Sequence, residues 1–390
     1  MLIKVIQTLG VDVVVSVMRF LLPGKNIAII SGRNARTFSD NPKCLFNYFL
    51  AQGVEKLGFD FYFFTKNKQL YNKLSKEYEG HVLYAYHLRT FFLFCRARYF
   101  LFSHGTADFF PYKAKPFKGR RVINLFHAIP LKKVGITNYN AGKEADREMK
   151  RYTDFLVSSE EEKNNLAVEG GIPASIMRVT GIPRNDLLFN GIQSDLFNKF
   201  TRELEGRKAI LYAPTFRDDG SPVSLFPFPD RDLEALDKFL DEIGARIFIR
   251  CHIDEFEHAK RNGFDFRNIL FSGQDQYPDV QEILGAVDIV ITDYSSICLD
   301  FLILDRPMIF LPYDYEEYNR VRGFLFEYYN ATVGPKPSTQ TEFITAIQHS
   351  VEDPGKDSAQ RKLQLQRFHA FRDGRSCERV TQLVNSSFQE

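Results

Sequence analysis

Tryptophan is absent from the chain and cysteine is scarce, at five residues, while phenylalanine and tyrosine number 38 and 18. The cysteines (Cys44, Cys95, Cys251, Cys298 and Cys377) are odd in number, scattered and never in a CxxC pair. That pattern excludes a disulfide framework and a cysteine zinc site, and it fits a reducing compartment. The eight histidines show no HExxH-type spacing, so no metal site is expected. Charge of one sign is lacking too. The 51 Lys and Arg nearly cancel the 49 Asp and Glu, so nothing calls for a nucleic-acid partner. Repeats and low-complexity tracts are missing. So are long hydrophobic runs: Met1 to Leu22 is rich in Leu, Ile and Val, but Lys4, Asp12 and Arg19 interrupt it. A membrane span needs about 20 apolar residues with few charges, and no small-residue cleavage site follows. Residues 1–23 therefore read as an amphipathic helix, either packed on the protein or lying in a membrane interface.

What is present is strand–helix alternation on a chain of 390 residues, too long for one ordinary core. Strands are expected at Lys25–Ser31, Phe59–Thr65, His81–Tyr86, Arg98–Ser103, Arg121–Phe126, Val157–Ser159 and Met177–Thr180. A second series follows at Lys208–Tyr212, Arg246–Arg250, Ile269–Ser272, Asp288–Thr292 and Pro307–Leu311. Alternation of this kind means parallel sheets covered on both faces. The expected plan is an α/β architecture. It comprises a Rossmann-like domain over 24–190, a second over 207–335, helices over 336–390, and a cleft between the two domains.

Ligands of such sheets sit beyond the carboxyl ends of the strands. Five polar clusters fall there: Gly32 to Lys43, His127 to Lys133, Ala213 to Asp218, Cys251-His252, and Asp293 to Ser296. Lys132, Lys133, Arg217 and Arg250 are cations suited to phosphate oxygens. Ser295 and Ser296 stand at a strand-to-helix junction, where open backbone N–H groups favour an anion, although either serine would serve equally as a plain helix cap. His127 and His252 are the catalytic candidates, because an imidazole can take a proton from an attacking hydroxyl near neutrality. His127 is the better base, whereas His252, beside Arg250, suits a phosphate contact. His104 also follows its strand, but Gly105 and Asp108 beside it fit a turn equally well.

The motifs carry a resemblance. SDNPKCLFNYF (Ser39 to Phe49), NLFHAIPLKKVG (Asn124 to Gly135), GIPRNDLLF (Gly181 to Phe189), LYAPTFRDD (Leu211 to Asp219), DIVITDYSSICLDFLILDRPMIFLPYDYEEY (Asp288 to Tyr318), RGFLFEY (Arg322 to Tyr328) and FRDGRSCERV (Phe371 to Val380) occur in order. Together they resemble the CDP-glycerol glycerophosphotransferases, the family of teichoic-acid primases, polymerases and related capsule polymerases, from about Gly24 to Val384. The chain departs from the family pattern at Ala128-Ile129 (Gly-Thr in relatives), at Phe126 and Phe216 (Trp) and at Cys251 (Pro).

The resemblance implies a GT-B fold: an N-terminal acceptor domain, a C-terminal domain for the CDP-activated donor, and terminal helices returning to the first. It implies transfer of glycerol phosphate, or ribitol phosphate, from a CDP-activated polyol to a hydroxyl of a lipid-linked glycan or polyol-phosphate acceptor. CMP leaves, at the cytoplasmic face of a membrane bound peripherally, and no cofactor is implied. By matching position His127 is the base, and Arg250, His252, Thr292, Ser295 and Ser296 hold the donor's phosphates. The same motifs add Asn41, Lys43, Lys132, Lys133, Arg184, Thr215, Arg217, Asp293, Asp300, Arg322, Asp373 and Gly374 as expected substrate contacts. Two other readings stay open on the residues. One is a nucleotide-sugar glycosyltransferase or epimerase of the same architecture, with Asp300 on the ribose; the other is an inactive, membrane-associated binding subunit.

Overall fold

The structure is a computed structural model that describes residues 10–112, 119–134, 142–215, 217, 223–250, 264–273 and 276–386. It divides into two units. One takes residues 1–127, 135–186 and 375–390, the other 128–134 and 187–374. The boundaries differ from the expected 24–190, 207–335 and 336–390. The His-containing motif after the fifth strand changes unit at Ala128, and residues 336–374 stay with the second unit.

The first unit is built on seven parallel strands: β1 Lys25–Ile30, β2 Asp60–Thr65, β3 Val82–Tyr84, β4 Ala97–Phe102, β5 Arg121–Asn124, β6 Asp154–Val157 and β7 Met177–Val179. Their spatial order is β3-β2-β1-β4-β5-β6-β7, the doubly wound arrangement whose order reverses between β1 and β4. Runs such as Ile27–Ile30 and Phe100–Phe102 are wholly buried, as a parallel strand covered on both faces requires. The expected strand at Val157–Ser159 ends earlier. Ser159 is instead the N-cap of the next helix, its hydroxyl accepting the Glu162 N–H at 3.1 Å.

One core of this unit joins Ala28, Leu45, Phe46, Phe49, Phe61 and Leu101 with Cys377, Val380 and Val384 of the last helix, Ser376–Asn385. That helix is anchored at both ends. The Asp186 carboxylate accepts the N–H groups of Ser376 and Cys377, each at 2.8 Å. At the other end Arg121 donates to the carbonyl of Leu383. The terminal helix thus returns to the first unit, 190 residues after Asp186.

The second unit holds five parallel strands: β8 Lys208–Ala213, β9 Ala245–Ile249, β10 Ile269–Phe271, β11 Ile289–Thr292 and β12 Met308–Phe310. Their order is β10-β9-β8-β11-β12, reversing between β8 and β11. Its core packs Ile210, Tyr212, Ile247, Ile289 and Ile309 against Phe343, Ala346 and Ile347 of the Gln340–Glu352 helix.

Near the amino terminus, Val11–Leu21 forms a helix of 11 residues. Val15 and Arg19 face inward, the Arg19 guanidinium lying 5.6 Å from the Phe94 and Phe100 ring centres. Val13, Val17, Phe20 and Leu21 face outward, Phe20 being 84 % exposed. Among the described residues no helix is long and apolar enough to cross a membrane.

Candidate active site

Polar residues gather at the switch point of each sheet. In the first unit a cavity of about 240 Å³ is lined by Gly32, Arg33, Thr37, Ser39, Asp40, Ser103, His104 and His127. These come from the ends of β1, β4 and β5, where a doubly wound sheet places its ligand.

Buried Asp108 ties two of those strand ends together. One carboxylate oxygen accepts the Asn34 N–H at 2.6 Å, and the other accepts those of Ser103 and His104 at 3.2 and 3.0 Å. Three consecutive non-glycine residues, Arg33, Asn34 and Ala35, are thereby held at φ of 46°, 58° and 56°. L-residues avoid this left-handed region, and such strain persists only where the surroundings over-determine it. Thr65 Oγ1 and the Lys66 N–H complete the hold by donating to the Ala35 carbonyl at 2.8 and 2.9 Å. Gly32 lets the strand ends close, since a Cβ there would lie 2.8 Å from both Pro42 Cγ and Ser103 Oγ.

His127 is held from behind. The Asn41 amide donates to the Leu125 and Phe126 carbonyls at 3.2 and 2.7 Å, and its oxygen accepts the Arg184 N–H at 2.9 Å. The Arg184 guanidinium donates to the His127 carbonyl and pairs with Asp40 at 2.9 Å. Asn41 is fully buried, so its expected role as a substrate contact is corrected: it fixes the loop that carries the histidine. Arg184 has its guanidinium on the same loop. Lys43, on the Asp40–Leu57 helix, lies 5.7 Å from the Phe38 ring centre.

His104 does more than close a turn: it lines the cavity with His127. Its ring stacks on that of His127, centres 4.5 Å apart and planes at 12°. His104 Nδ1 meets Ser103 Oγ at 2.8 Å. The residue lines the cavity and keeps solvent-accessible surface, yet enough protein surrounds the ring to desolvate it. That desolvation lowers its pKa, with Asp108 and Asp40 opposing and Arg33 and Arg184 reinforcing the shift.

In the second unit the organising residue is Asp293, immediately after β11. Its carboxylate accepts the N–H groups of Thr215 and Tyr294 at 2.8 and 2.6 Å and pairs with Arg217 at 3.0 Å. Arg217 also reaches Asp314 and the Tyr313 hydroxyl, both at 2.9 Å, and packs over the rings of Tyr294, Tyr313 and Tyr318. Burial disfavours its charge, but Asp293, Tyr313 and Asp314 outweigh that and raise its pKa above the ordinary value. A guanidinium so engaged is a structural cation, which corrects its expected role on a phosphate. Asp293 is corrected likewise, being buried with its carboxylate committed to Thr215, Tyr294 and Arg217. Thr292 donates its buried hydroxyl to the Ala213 carbonyl at 2.6 Å, so it joins the strand ends rather than a ligand. Asp300 is buried within the Ile297–Phe301 helix, which removes the ribose contact that the epimerase reading gave it.

The remaining expected residues divide. Ser295 and Ser296 are half-buried. Ser296 makes no side-chain cap hydrogen bond, and Ser295 Oγ lies a long 3.5 Å from the Ile297 N–H, so capping does not engage these hydroxyls. The helix after them has only five residues, then a 3₁₀ turn at Leu302–Leu304, so its dipole contributes less than the sequence suggests. Thr215 is buried, and among the described residues its hydroxyl oxygen has no hydrogen-bond partner. Lys132 forms a β-bridge with Phe324, and the Lys133 N–H donates to the Gly323 carbonyl at 3.1 Å. That pairing brings both lysines beside Arg322. Arg250 donates to the Tyr277 carbonyl at 2.7 Å. Asp373 is exposed, and Gly374 (φ +62°) packs where a Cβ would stand 2.5 Å from Asn190 Oδ1. His252, Cys251 and Phe216 lie outside the described residues.

A model of the family described as CDP-Glycerol:Poly(glycerophosphate) glycerophosphotransferase matches residues 14–386. The chain belongs to this family. It is 28% identical over 404 residues to a teichoic acid glycerol-phosphate transferase of Staphylococcus aureus (strain NCTC 8325 / PS 47), with 93% of this chain and 94% of that one covered. A teichoic acid poly(ribitol-phosphate) polymerase of Bacillus spizizenii (strain ATCC 23059 / NRRL B-14472 / W23) is 29% identical over 251 residues, or 62% of this chain but only 40% of its own length. Among solved structures, the wall teichoic acid polymerase TagF superposes with a TM-score of 0.74 at 20% identity, covering 94% of this chain and 90% of that one. At that identity the likeness establishes the fold, the two-domain GT-B arrangement of parallel sheets.

Proposed function

We propose that the chain transfers glycerol phosphate, or ribitol phosphate, from a CDP-activated polyol to a hydroxyl of a membrane-linked acceptor in teichoic-acid-like polymer synthesis. The observation that carries this reading is the placement of His127, in a family member, on a cavity at the switch point of its own sheet. The acceptor oxygen attacks the donor phosphorus that bears the polyol, and the bond from that phosphorus to the CMP oxygen breaks. His127 takes the hydroxyl proton. The first unit serves the acceptor and the second the donor. Ser295, Ser296, Thr215, Arg250, Lys132, Lys133 and Arg322 are the residues of the second unit whose groups suit a diphosphate.

Peripheral binding at the cytoplasmic face of the membrane completes the reading. It is supported by the outward row of Val13, Val17, Phe20 and Leu21 on the Val11–Leu21 helix, since an apolar face of this kind suits a membrane interface.

The decisive experiment is turnover with a panel of CDP-glycerol, CDP-ribitol and UDP-sugars. CMP release from the cytidine donors alone is expected. In His127→Ala, turnover should fall by about 10²-fold or more, the usual contribution of a general base, while CDP affinity stays within about twofold. Near-normal turnover in that variant removes the base assignment, and turnover of UDP-sugars alone replaces the reaction class.

A further inference from the structure

The cavity beside His127 presents the Arg33 guanidinium and more hydrogen-bond donors than a neutral hydroxyl acceptor needs. Arg33 stands on its rim, exposed, and among the described residues its guanidinium forms no ion pair or hydrogen bond. The left-handed turn Arg33–Ala35 that presents it is held through buried Asp108, which also fixes the backbone of His104 across the cavity. One buried carboxylate thus sets the spacing of both groups. His104 engages Nδ1 with Ser103, which leaves Nε2 without a hydrogen-bond partner among the described residues. Ser39 Oγ donates to Thr37 Oγ1 at 3.3 Å, which leaves the Thr37 hydroxyl hydrogen as a further donor on the cavity. Asp40 is the one acidic residue lining the cavity, and it is paired with Arg184. A volume of about 240 Å³ lies below the ~300–1,000 Å³ of pockets for larger ligands. It suits a single small anionic group.

We infer that Arg33 and His104, with the Thr37 hydroxyl, form an anion subsite. It holds the phosphodiester that precedes the acceptor's terminal hydroxyl. This rests on the transfer reaction proposed above and extends it to acceptor choice. A terminus ending in a neutral sugar offers hydroxyls, which call for carboxylate or carbonyl acceptors on the protein; the one carboxylate here is taken by Arg184, and the cavity presents the Arg33 guanidinium and hydroxyl donors instead. A phosphodiester supplies a single delocalised negative charge that the guanidinium can bind through two N–H groups. Anchored there, it leaves its terminal polyol hydroxyl to be presented to the stacked imidazole of His127. Positioning of this kind raises the effective concentration of the nucleophile. The subsite therefore favours elongation of a polyol-phosphate chain over transfer to a neutral end.

Two soluble acceptors test it: a phosphodiester of two glycerols and glycerol itself, each assayed with radiolabelled CDP-glycerol and the full-length protein. Wild type should prefer the phosphodiester in kcat/KM. Arg33→Ala should cut that preference by about 10- to 100-fold, the range expected for a lost charge-assisted hydrogen bond. Arg33→Lys should restore part of it, and His104→Asn should lower it in the same direction. The KM for CDP-glycerol should move less than threefold. A second arm needs no turnover. The phosphodiester is titrated into the protein without donor, by calorimetry or the imidazole NMR signals, and its binding should weaken at least tenfold in Arg33→Ala. Equal losses for both acceptors, a preference that moves less than threefold, or a raised KM for the donor alone would each overturn the inference. A wild type that binds the phosphodiester yet turns over no CDP-polyol defeats the transfer reading and leaves the subsite standing.

Discussion

Replacing Asp293 by asparagine keeps its shape and removes its charge. The consequence follows from the contacts around it. In the native unit its side chain is 3 % exposed and that of Arg217 9 %, and they pair at 3.0 Å. Removing one partner of a buried pair costs about 3–5 kcal/mol when the other charge is left alone. Arg217 is not left alone, because Asp314, 25 % exposed, remains 2.9 Å away. The lower figure therefore applies, less a contribution from Asp314, giving about 2–3 kcal/mol. At about 2–4 °C per kcal/mol for a unit of this size, the melting temperature of the second unit should fall by about 4–12 °C. Scanning calorimetry of Asp293→Asn, Arg217→Met and the double variant measures it. The double variant should be less destabilised than the two singles summed, by about 1 kcal/mol or more, because it leaves no orphaned charge. If the singles add to within about 0.5 kcal/mol, the pair is not coupled. If Arg217→Met melts like wild type while losing CDP affinity, the guanidinium is a ligand contact after all and the structural reading is refuted.

Three further outcomes follow from other parts of the fold. Asp108→Leu should free the amides of Asn34, Ser103 and His104, and loss of about 2 kcal/mol would speed their hydrogen exchange by about 30-fold; unchanged exchange there would mean the carboxylate does not hold the two strand ends. His369 is buried, its ring nitrogen 2.9 Å from the Leu299 carbonyl, and burial lowers its pKa from the ordinary 6.5. Below pH 6.5 the unfolded chain binds a proton there that the native ring refuses, so stability should fall as pH drops, by at most about 1.4 kcal/mol per pH unit. Calorimetry at pH 7.5 and 5.5 should show a smaller acid loss in His369→Gln, and an equal loss would place the effect elsewhere. Replacing Val13, Val17, Phe20 and Leu21 together by serine should reduce sedimentation with anionic vesicles at least tenfold, and unchanged partitioning would make this helix purely structural.

Much of the architecture was legible because periodicity is local. Short apolar runs such as Ile27–Ile30 and Ile289–Thr292 can be recognised without their partners, and polar clusters after them mark the ligand end of each sheet. The roles of individual side chains were legible only where no distant partner intervened. Arg217 reads as a phosphate ligand until Asp293, 76 residues on, is seen to hold it. His104 and Asp108 read as an ordinary turn because the bond that matters reaches Asn34, 74 residues back. Asn41 reads as a contact because its motif is polar, yet burial gives its amide to the Leu125 and Phe126 carbonyls. A usable clue did exist for His104: a His two residues beyond β4, the strand beside the switch point, shares the strand-end position that singled out His127.

The helix Ser376–Asn385 adds a constraint on biosynthesis. The groove it fills on the first unit, against Leu45, Phe46 and Phe49, is complete in every other respect once residue 186 has been made. A nascent chain must then carry that apolar surface uncovered while nearly 190 more residues are translated, a period of roughly 10–40 s at ordinary elongation rates. The early-made half is consequently the one at risk of aggregation, and chaperones that shield apolar surface should engage it during translation. A tag or truncation near Val384 should show its damage there, at the opposite end of the coding sequence from the lesion.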